Sequence, residues 1–161
     1  MIEIRRIKPD EAPAAKQLIY RVAQDVFNDS RPLEESIAYY EERGVLQEMD
    51  SIQQNYFDND GIFLVLTEDG QIIGTGAIRK IEDGICELKR LWLLTEYHGK
   101  GLGYRMMQEL LSFAREKGYQ RIRLETELTQ KRALGFYKRL GFYQIQRYRE
   151  NAEDIAMEMI L

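Results

Sequence analysis

The first sixty residues combine one strand-like pattern with helical patterns. In the opening segment IEIRRI, Ile2 and Ile4 share one parity, which predicts a β-strand. After Pro9 and Asp10, apolar residues recur at helical spacing and predict a helix that runs to about Val26. The polar, acidic section from residue 31 to 60 predicts one or two further helices. Its expected anchoring residues are Ile37, Tyr40, Leu46, Ile52 and Tyr56.

Residues 61–94 change to short runs of apolar or alternating residues. Asp69-Gly70 and Asp83-Gly84 separate three such runs. Asp-Gly between strands is a strong hairpin signal, because both central residues of a type I′ turn need positive φ. The pattern therefore predicts a three-stranded antiparallel meander at 62–67, 71–80 and 85–94.

The last third of the chain predicts two helices among further strands. The first helix is expected from about Gly101 to Lys117, with Gly118 as its cap. Its inner stripe is expected to be Leu102, Met106, Leu110, Phe113 and Ala114. A strand at 119–126, a helix at 130–140 ended by Gly141, and closing strands at 142–148 and 154–161 follow. The predicted fold class is mixed α/β, with one twisted, mostly antiparallel sheet of about seven strands and helices on both faces.

The composition is typical of a globular protein and excludes several functions. The 161 residues include 23 Lys and Arg against 27 Asp and Glu, so the net charge is −4 and no basic surface for nucleic acid is expected. The length fits a single domain over residues 1–161. No apolar run approaches the ~20 residues of a membrane span, and no signal peptide is recognisable, so a cytoplasmic protein is expected. The single cysteine, Cys86, excludes an internal disulfide.

Three glycines, Gly99, Gly101 and Gly103, lie at the start of the predicted helix. A helix N-terminus leaves about four backbone N–H groups unpaired and carries about half a positive charge, so it suits a phosphate. A P-loop would need Ser or Thr after Gly99-Lys100, and a dinucleotide fingerprint would need a third glycine where Met106 stands. Both motifs are excluded, which leaves another type of anion site or a plain turn.

Two segments carry a more specific signal: LKRLWLLTEYHGKGLGYRMMQELLSFAREKGYQRIRLET and QKRALGFYKRLGF. Together they resemble the GNAT superfamily of N-acetyltransferases over residues 61–145. The resemblance implies a GNAT-like fold and an acyltransferase that moves the acetyl group of acetyl-coenzyme A directly to a primary amine. The family's Arg/Gln-x-x-Gly-x-Gly/Ala loop, which grips the pyrophosphate, matches His98, Gly99, Lys100, Gly101, Leu102 and Gly103, followed by Tyr104. His98 departs from the usual Arg or Gln, which weakens one side-chain contact and leaves the backbone amides available.

The resemblance also implies the remaining coenzyme contacts. The backbone of Leu91 and Leu93, on either side of Trp92, is implied to pair with the pantetheine arm as an added strand would. The Leu93 amide is implied to stabilise charge on the thioester oxygen. No metal is implied. On the second helix, the implied coenzyme contacts are Gln130, Ala133, Phe136 and Tyr137.

Two residues are implied to be catalytic. Tyr137 would protonate the departing thiolate, and Glu87 would accept a proton from the amine, with its pKa raised by partial burial. The alternatives are that Tyr137 is a core tyrosine and that Glu87 pairs with Lys89 or Arg90 or faces solvent. Cys86 is rejected as an acyl-carrying nucleophile, because no histidine lies near it in sequence and a thiol in a strand is usually a small core residue.

The resemblance places the acceptor amine against residues 25–60. The acids of this stretch would attract a cationic amine, although acids on exposed helix faces more simply keep a protein soluble. Tyr39, Tyr40, Tyr56 and Phe57 are expected either to line the acceptor pocket or to anchor the core. The expected acceptor is a small-molecule amine or amino acid. A protein N-terminus or lysine, a non-catalytic coenzyme A sensor and a purely structural module are the alternatives, and a homodimer is compatible with the resemblance. The acids are Asp25, Asp29, Glu34, Glu35, Glu41, Glu42, Glu48, Asp50, Asp58 and Asp60.

Overall fold

The structure is a computed structural model that describes residues 1–150 and 155–161. Its strands are β1 Ile2–Arg6, β2 Ile62–Glu68, β3 Gln71–Glu82, β4 Ile85–Leu93, β5 Arg121–Thr126, β6 Tyr143–Ile145 and β7 Ile155–Ile160. Its helices are α1 Ala12–Val26, α2 Leu33–Glu42, α3 Ile52–Asn55, α4 Leu102–Glu116 and α5 Lys131–Leu140. Short 3₁₀ turns lie at Pro9–Glu11, Gln47–Ser51, Phe57–Asn59 and Thr95–Tyr97.

All described strands form one sheet in the order β1-β2-β3-β4-β5-β7-β6. Every neighbouring pair is antiparallel except β4 and β5, which are parallel. The predicted fold class is therefore confirmed. The first helix begins at Ala12 because the proline segment before it forms a 3₁₀ turn. Residue 154 of the predicted last strand lies outside the described residues.

The two predicted hairpins are present but differ in turn geometry. Asp69 and Gly70 both have positive φ, 50° and 86°, as a type I′ turn requires. At Asp83-Gly84, Gly84 has a φ of 79° but Asp83 does not have positive φ. The register of β3 and β4 shifts between Lys80 and Glu82, next to this second turn. Such a bulge adds twist and lets a different two-residue turn join the strands.

The apolar face of α4 packs against β3. Leu102, Met106, Leu110 and Ala114 of the predicted stripe are buried, Phe113 is half-buried, and Met107 and Leu111 widen the buried face. The contact is close because β3 has Gly76 at this point. A Cβ atom there would lie 2.9 Å from Leu110 Cδ1 and 3.0 Å from Met106 Cγ, so only glycine fits without a shift.

Strands β4 and β5 part after a short stretch of pairing. Ile85–Glu87 pairs with Arg121–Arg123, and no pairing between them follows in the described sheet. Beyond that point β4 bulges at Arg90, whose φ is 54°, and continues beside β3, while β5 continues beside β7 to its end. One edge of β4 is thus left without a strand partner inside the sheet. This opening positions the site described next.

Candidate active site

A cleft of about 870 Å³ lies where β4 has parted from β5, between the first turns of α4 and helix α5. It brings together three parts of the sequence: the end of β4, the glycine loop and α5. Residues from all three parts line the cleft. The expected coenzyme-binding residues on this cleft are Leu91, Trp92, Leu93, His98, Gly99, Gly101, Leu102, Gly103, Tyr104, Gln130, Ala133, Phe136 and Tyr137.

Lys100 is the expected coenzyme-binding residue that does not line the cleft. Its side chain is exposed, and its ammonium lies 5.4 Å from the centroid of the Tyr97 ring. Lys100 therefore adds positive charge near the loop but does not form part of the cleft wall.

The glycine loop has the backbone conformation that its residues suggest. Gly99 and Gly101 both have a φ of 78°, a left-handed conformation that side chains disfavour. No atom lies within 4 Å of a Cβ built on either residue, so the need for glycine here is conformational. Gly101 is the N-cap of α4, and no side chain caps this terminus. The first amides of α4 are consequently left for a ligand.

His98 ties the loop back to β4. Its Nε2 lies 2.9 Å from the carbonyl oxygen of Leu93. Because a carbonyl oxygen only accepts, this nitrogen carries the proton and donates it. The ring thus links the glycine loop to the end of β4.

Tyr137 is buried in α5, with its ring centroid 5.7 Å from that of Phe136 and 5.8 Å from that of Phe142. Helix α5 ends at Gly141, which has a φ of 110° and caps the helix as predicted. This packing holds Tyr137 in place at the inner end of the cleft.

A second cavity, of about 350 Å³, adjoins the cleft. Its walls come from α1, α2 and the loop after it, β4, the end of β5 with the segment that follows, and α5. Two ligands in the two cavities would therefore meet at the residues that both cavities share. The residues that line both cavities are Leu91, Trp92, Gln130 and Tyr137.

Glu87 lines the second cavity and is 1% exposed. Arg149 Nη1 lies 2.5 Å from its Oε2, Tyr148 donates a hydrogen bond of 2.7 Å to the same oxygen, and Arg79 lies 3.2 Å from Oε1. Burial acts to raise the pKa of Glu87, but the hydrogen bonds from Arg149 and Tyr148 outweigh it, and the pKa is lowered. The expectation of a raised pKa was wrong, because Tyr148 and Arg149 come from a distant part of the chain. The alternatives were also wrong, since Glu87 pairs with Arg79 and Arg149 rather than with Lys89 or Arg90 and does not face solvent.

The expected acids of residues 25–60 are largely engaged in ion pairs and hydrogen bonds. Asp29 binds Arg31 and Ser36, and Glu41 accepts a hydrogen bond of 2.7 Å from Tyr20. These contacts support the simpler interpretation of the acids as structural and surface groups.

The four aromatic residues expected on the acceptor side have separate positions. Tyr40 lines the second cavity. Tyr56 is a core residue, Tyr39 lies against the guanidinium of Arg43, and Phe57 lies beneath Arg6. Two aromatic residues that the sequence analysis missed, Tyr20 of α1 and Phe27 just after this helix, also line this cavity. Phe27 directly follows the predicted helix, and no local signal in the sequence distinguishes it from a core residue.

Cys86 is fully buried, and burial raises the pKa of its thiol to about 12. Its sulfur donates to the carbonyl oxygen of Arg121 at 3.7 Å, and it lines neither cavity. A thiol in this environment is a poor nucleophile, in agreement with its rejection as an acyl carrier.

Residues 17–142 match the acetyltransferase (GNAT) family, and the chain belongs to this family. Among curated proteins it is similar to the uncharacterized N-acetyltransferase YjgM of Escherichia coli, with 33% identity over 100 residues that cover 60% of each protein. It is also similar to N-acetyltransferase 8B of Homo sapiens, with 31% identity over 101 residues, 59% of this chain and 44% of that protein. The matched region thus spans less than two thirds of these relatives.

Solved structures share the fold over the whole chain. An acetyltransferase of the GNAT family from Staphylococcus aureus superimposes with a TM-score of 0.84 at 17% identity, covering 100% of this chain and 99% of that one. The PaiA N-acetyltransferase of Thermoplasma acidophilum, solved in complex with coenzyme A, gives a TM-score of 0.79 at 22% identity, with the same coverage. None of the helices in the described residues has the length and apolar character needed to cross a membrane.

Proposed function

We propose that this protein is an N-acetyltransferase that moves the acetyl group of acetyl-coenzyme A directly to a primary amine of a small molecule or amino acid. The observation that carries the proposal is the meeting of two cavities at Leu91, Trp92, Gln130 and Tyr137. A donor in one cavity and an acceptor in the other would react directly, without a covalent enzyme intermediate. The buried Cys86 would not form such an intermediate.

The larger cleft suits the donor. The uncapped amides at the start of α4 would hold its diphosphate, and the unpaired edge of β4 at Leu91 and Leu93 would hold its extended arm by main-chain hydrogen bonds. The Ala133 and Phe136 side chains would lie beneath that arm. Acetyl-coenzyme A supplies an acetyl thioester, whose carbonyl oxygen gains negative charge during transfer. The Leu93 amide is the group assigned to stabilise that charge.

Two protons move when the amine nitrogen bonds to the acetyl carbon and the carbon–sulfur bond breaks. We assign Tyr137 as the donor of a proton to the leaving sulfur, because it lines both cavities and is held rigidly. We assign Glu87 as the acceptor of the proton from the amine, directly or through a water molecule. Its carboxylate is ionised at neutral pH, and its lowered pKa makes it a weak base.

The volume of the second cavity favours a small acceptor. About 350 Å³ lies at the lower end of the ~300–1,000 Å³ typical of small-molecule pockets. Its walls include Ile19 and Tyr20 on the buried face of α1.

Donor binding is tested first by thermal unfolding with and without acetyl-coenzyme A. A ligand at 100 times its Kd should stabilise the folded state by about 2.7 kcal/mol. The absence of any shift at millimolar donor would contradict the proposal. Acetylation is then tested by thiol release with a panel of small amines, amino acids and peptides. Stabilisation without acetylation of any of them would instead indicate a coenzyme sensor.

The catalytic assignments are tested with matched variants. Tyr137→Phe should lower kcat by about 10²–10⁴-fold while donor binding persists. Tyr119→Phe is its control, since Tyr119 is also buried and donates to the Asp60 carbonyl oxygen at 2.8 Å, but lines neither cavity. Equal activity of the two variants would remove Tyr137 from the mechanism.

Glu87→Gln should lower kcat, and its control is Glu158→Gln. Glu158 is likewise a buried strand carboxylate, bound by Arg123 and Tyr143, each at 2.9 Å. Because both variants break a similar ion-pair network, a loss of activity confined to Glu87→Gln would reflect chemistry rather than folding.

A further inference from the structure

Lys89 lies on the wall of the second cavity and has no use in the function proposed above. It stands two residues after Glu87 on β4 and lines the same cavity. Its side chain forms no hydrogen bond or ion pair with any residue in the described ranges 1–150 and 155–161. Burial is the main cause that lowers the pKa of Lys89, as expected for a cation removed from water.

The carboxylates nearest to Lys89 along the cavity are already paired with arginines. Glu87 is held by Arg149 and Arg79, and Arg149 also lies 2.6 Å from Glu125. Among the described residues, this distribution leaves Lys89 without an ion-pair partner of its own inside the cavity.

Arg90, the other cation on this strand that lines the cavity, is in a different situation. It donates to Glu48 and to the carbonyl oxygen of Val45, so its charge and its donors are used within the protein. Among the described residues that line this cavity, Lys89 is therefore the cation left to meet a ligand.

Glu127, after the end of β5, also lines the cavity and forms no ion pair with the described residues. Lys89 and Glu127 are not within ion-pair distance of each other. Within the described residues the cavity thus has one cation on β4 and one anion beside β5 that form no ion pair, an arrangement suited to a ligand that carries both an ammonium and an anionic group.

We propose that Lys89 binds a carboxylate carried by the acceptor, so that the acceptor is an amino acid or a related amino carboxylate. This inference rests on the proposed acetyltransferase function. A monoanionic carboxylate matches the single cation of Lys89, whereas a phosphate group would leave charge unpaired. The position two residues from Glu87, about 7 Å along a strand, separates the carboxylate from the reacting amine by a distance that a short amino carboxylate spans.

The test compares matched acceptors that differ by one carboxylate. Phenylalanine and 2-phenylethylamine form one pair, leucine and 3-methylbutylamine a second, and 4-aminobutyrate and propylamine a third. We expect kcat/KM to be at least about ten-fold higher for the carboxylate member of a pair, the effect typical of a hydrogen bond to a charged group. In Lys89→Met this preference should disappear through a higher KM for the carboxylate member, and Lys89→Arg should retain part of it.

The control is Lys117→Met, which removes an exposed lysine paired with Asp60 at 3.6 Å, far along the chain from either cavity. It should leave the preference unchanged. Thermal unfolding of each variant verifies that the fold is intact.

Several results would overturn the inference. The inference is wrong if the wild-type protein has equal kcat/KM for both members of every pair. It is also wrong if Lys89→Met loses the same rate with both members, because Lys89 would then have a general role. Acetylation of decarboxylated amines or peptide N-termini alone would overturn it while leaving the acetyltransferase function standing. The absence of thiol release with every acceptor tested would overturn both proposals.

Discussion

The ion pair between Arg90 and Glu48 should be a measurable source of stability, because it holds the bulge of β4. Arg90 donates to both carboxylate oxygens of Glu48, with Nε 3.1 Å from Oε2, and to the Val45 carbonyl oxygen at 3.0 Å. Its backbone has a φ of 54°, which is unfavourable for a residue with a side chain. The ion pair therefore offsets local backbone strain.

The expected magnitude follows from burial. Removing one partner of a buried pair costs about 3–5 kcal/mol, while exposed pairs contribute about 1 kcal/mol or less. The Arg90 and Glu48 side chains are 15% and 17% exposed. We therefore expect Arg90→Ala and Glu48→Gln each to lower the free energy of unfolding by about 2–3 kcal/mol, with a coupling of about 1–2 kcal/mol in the double variant.

Backbone strain gives a second, sharper expectation. Arg90→Gly loses the same ion pair as Arg90→Ala but adopts positive φ without penalty. It should therefore be about 1 kcal/mol more stable than Arg90→Ala, the reverse of the usual effect of glycine in a strand.

The assay is urea unfolding followed by circular dichroism, with Lys80→Ala as the control. Lys80 pairs with Asp83 at 2.9 Å, but this pair is exposed, so its loss should change the free energy of unfolding far less than the loss of Arg90 does. A coupling below about 0.5 kcal/mol between Arg90 and Glu48 would refute the assigned role of the ion pair. An Arg90→Gly variant less stable than Arg90→Ala would refute the assignment of strain.

Three further predictions concern other parts of the molecule. The hydrogen bond from Arg5 is the main cause that lowers the pKa of Glu11 to about 2. The stability that this pair contributes, about 1–2 kcal/mol after solvent screening, is present above about pH 4.5 and is lost as the pH falls through about 2. Urea unfolding of Glu11→Gln should therefore lack this part of the dependence of stability on pH. Gly101→Ala and Gly118→Ala each place a side chain at positive φ, 78° and 88°, and should each lower the free energy of unfolding by about 1–2 kcal/mol. Calorimetry should show weaker acetyl-coenzyme A binding in Gly101→Ala alone. Cys86, with its pKa raised to about 12, should resist a thiol reagent at pH 8 in the native protein and react fully in urea, and rapid native labelling would contradict its burial.

Local patterns in the sequence predict much of this fold. Asp69-Gly70 marks the first hairpin, the spacing of apolar residues marks α1 and α4, and Gly141 marks the end of α5, because turn chemistry and helical periodicity act within a few residues. The conformation of the glycine loop was predictable for the same reason, because the positive φ of Gly99 and Gly101 follows from the residues themselves.

The acceptor side depends on contacts that no local pattern contains. The positive φ of Arg90 is held by Glu48, which is 42 residues away, and Glu87 is held ionised by Tyr148, which is 61 residues away. The sequence also names Lys89 only as a partner for Glu87, whereas the structure leaves its charge facing a cavity. Tertiary pairing decides these environments, so they could not be predicted from neighbours in the chain.

The short parallel ladder between β4 and β5 has a mechanical consequence. Ile85–Glu87 and Arg121–Arg123 are where the β1–β4 half of the sheet joins the half that contains β5, β7 and β6. The Arg149 side chain adds a second connection, since it forms ion pairs with both Glu87 of one half and Glu125 of the other. A molecule bound between β4 and β5 beyond these residues would supply hydrogen bonds that the sheet lacks there. The protein without and with this bound molecule would then differ in stiffness more than in shape.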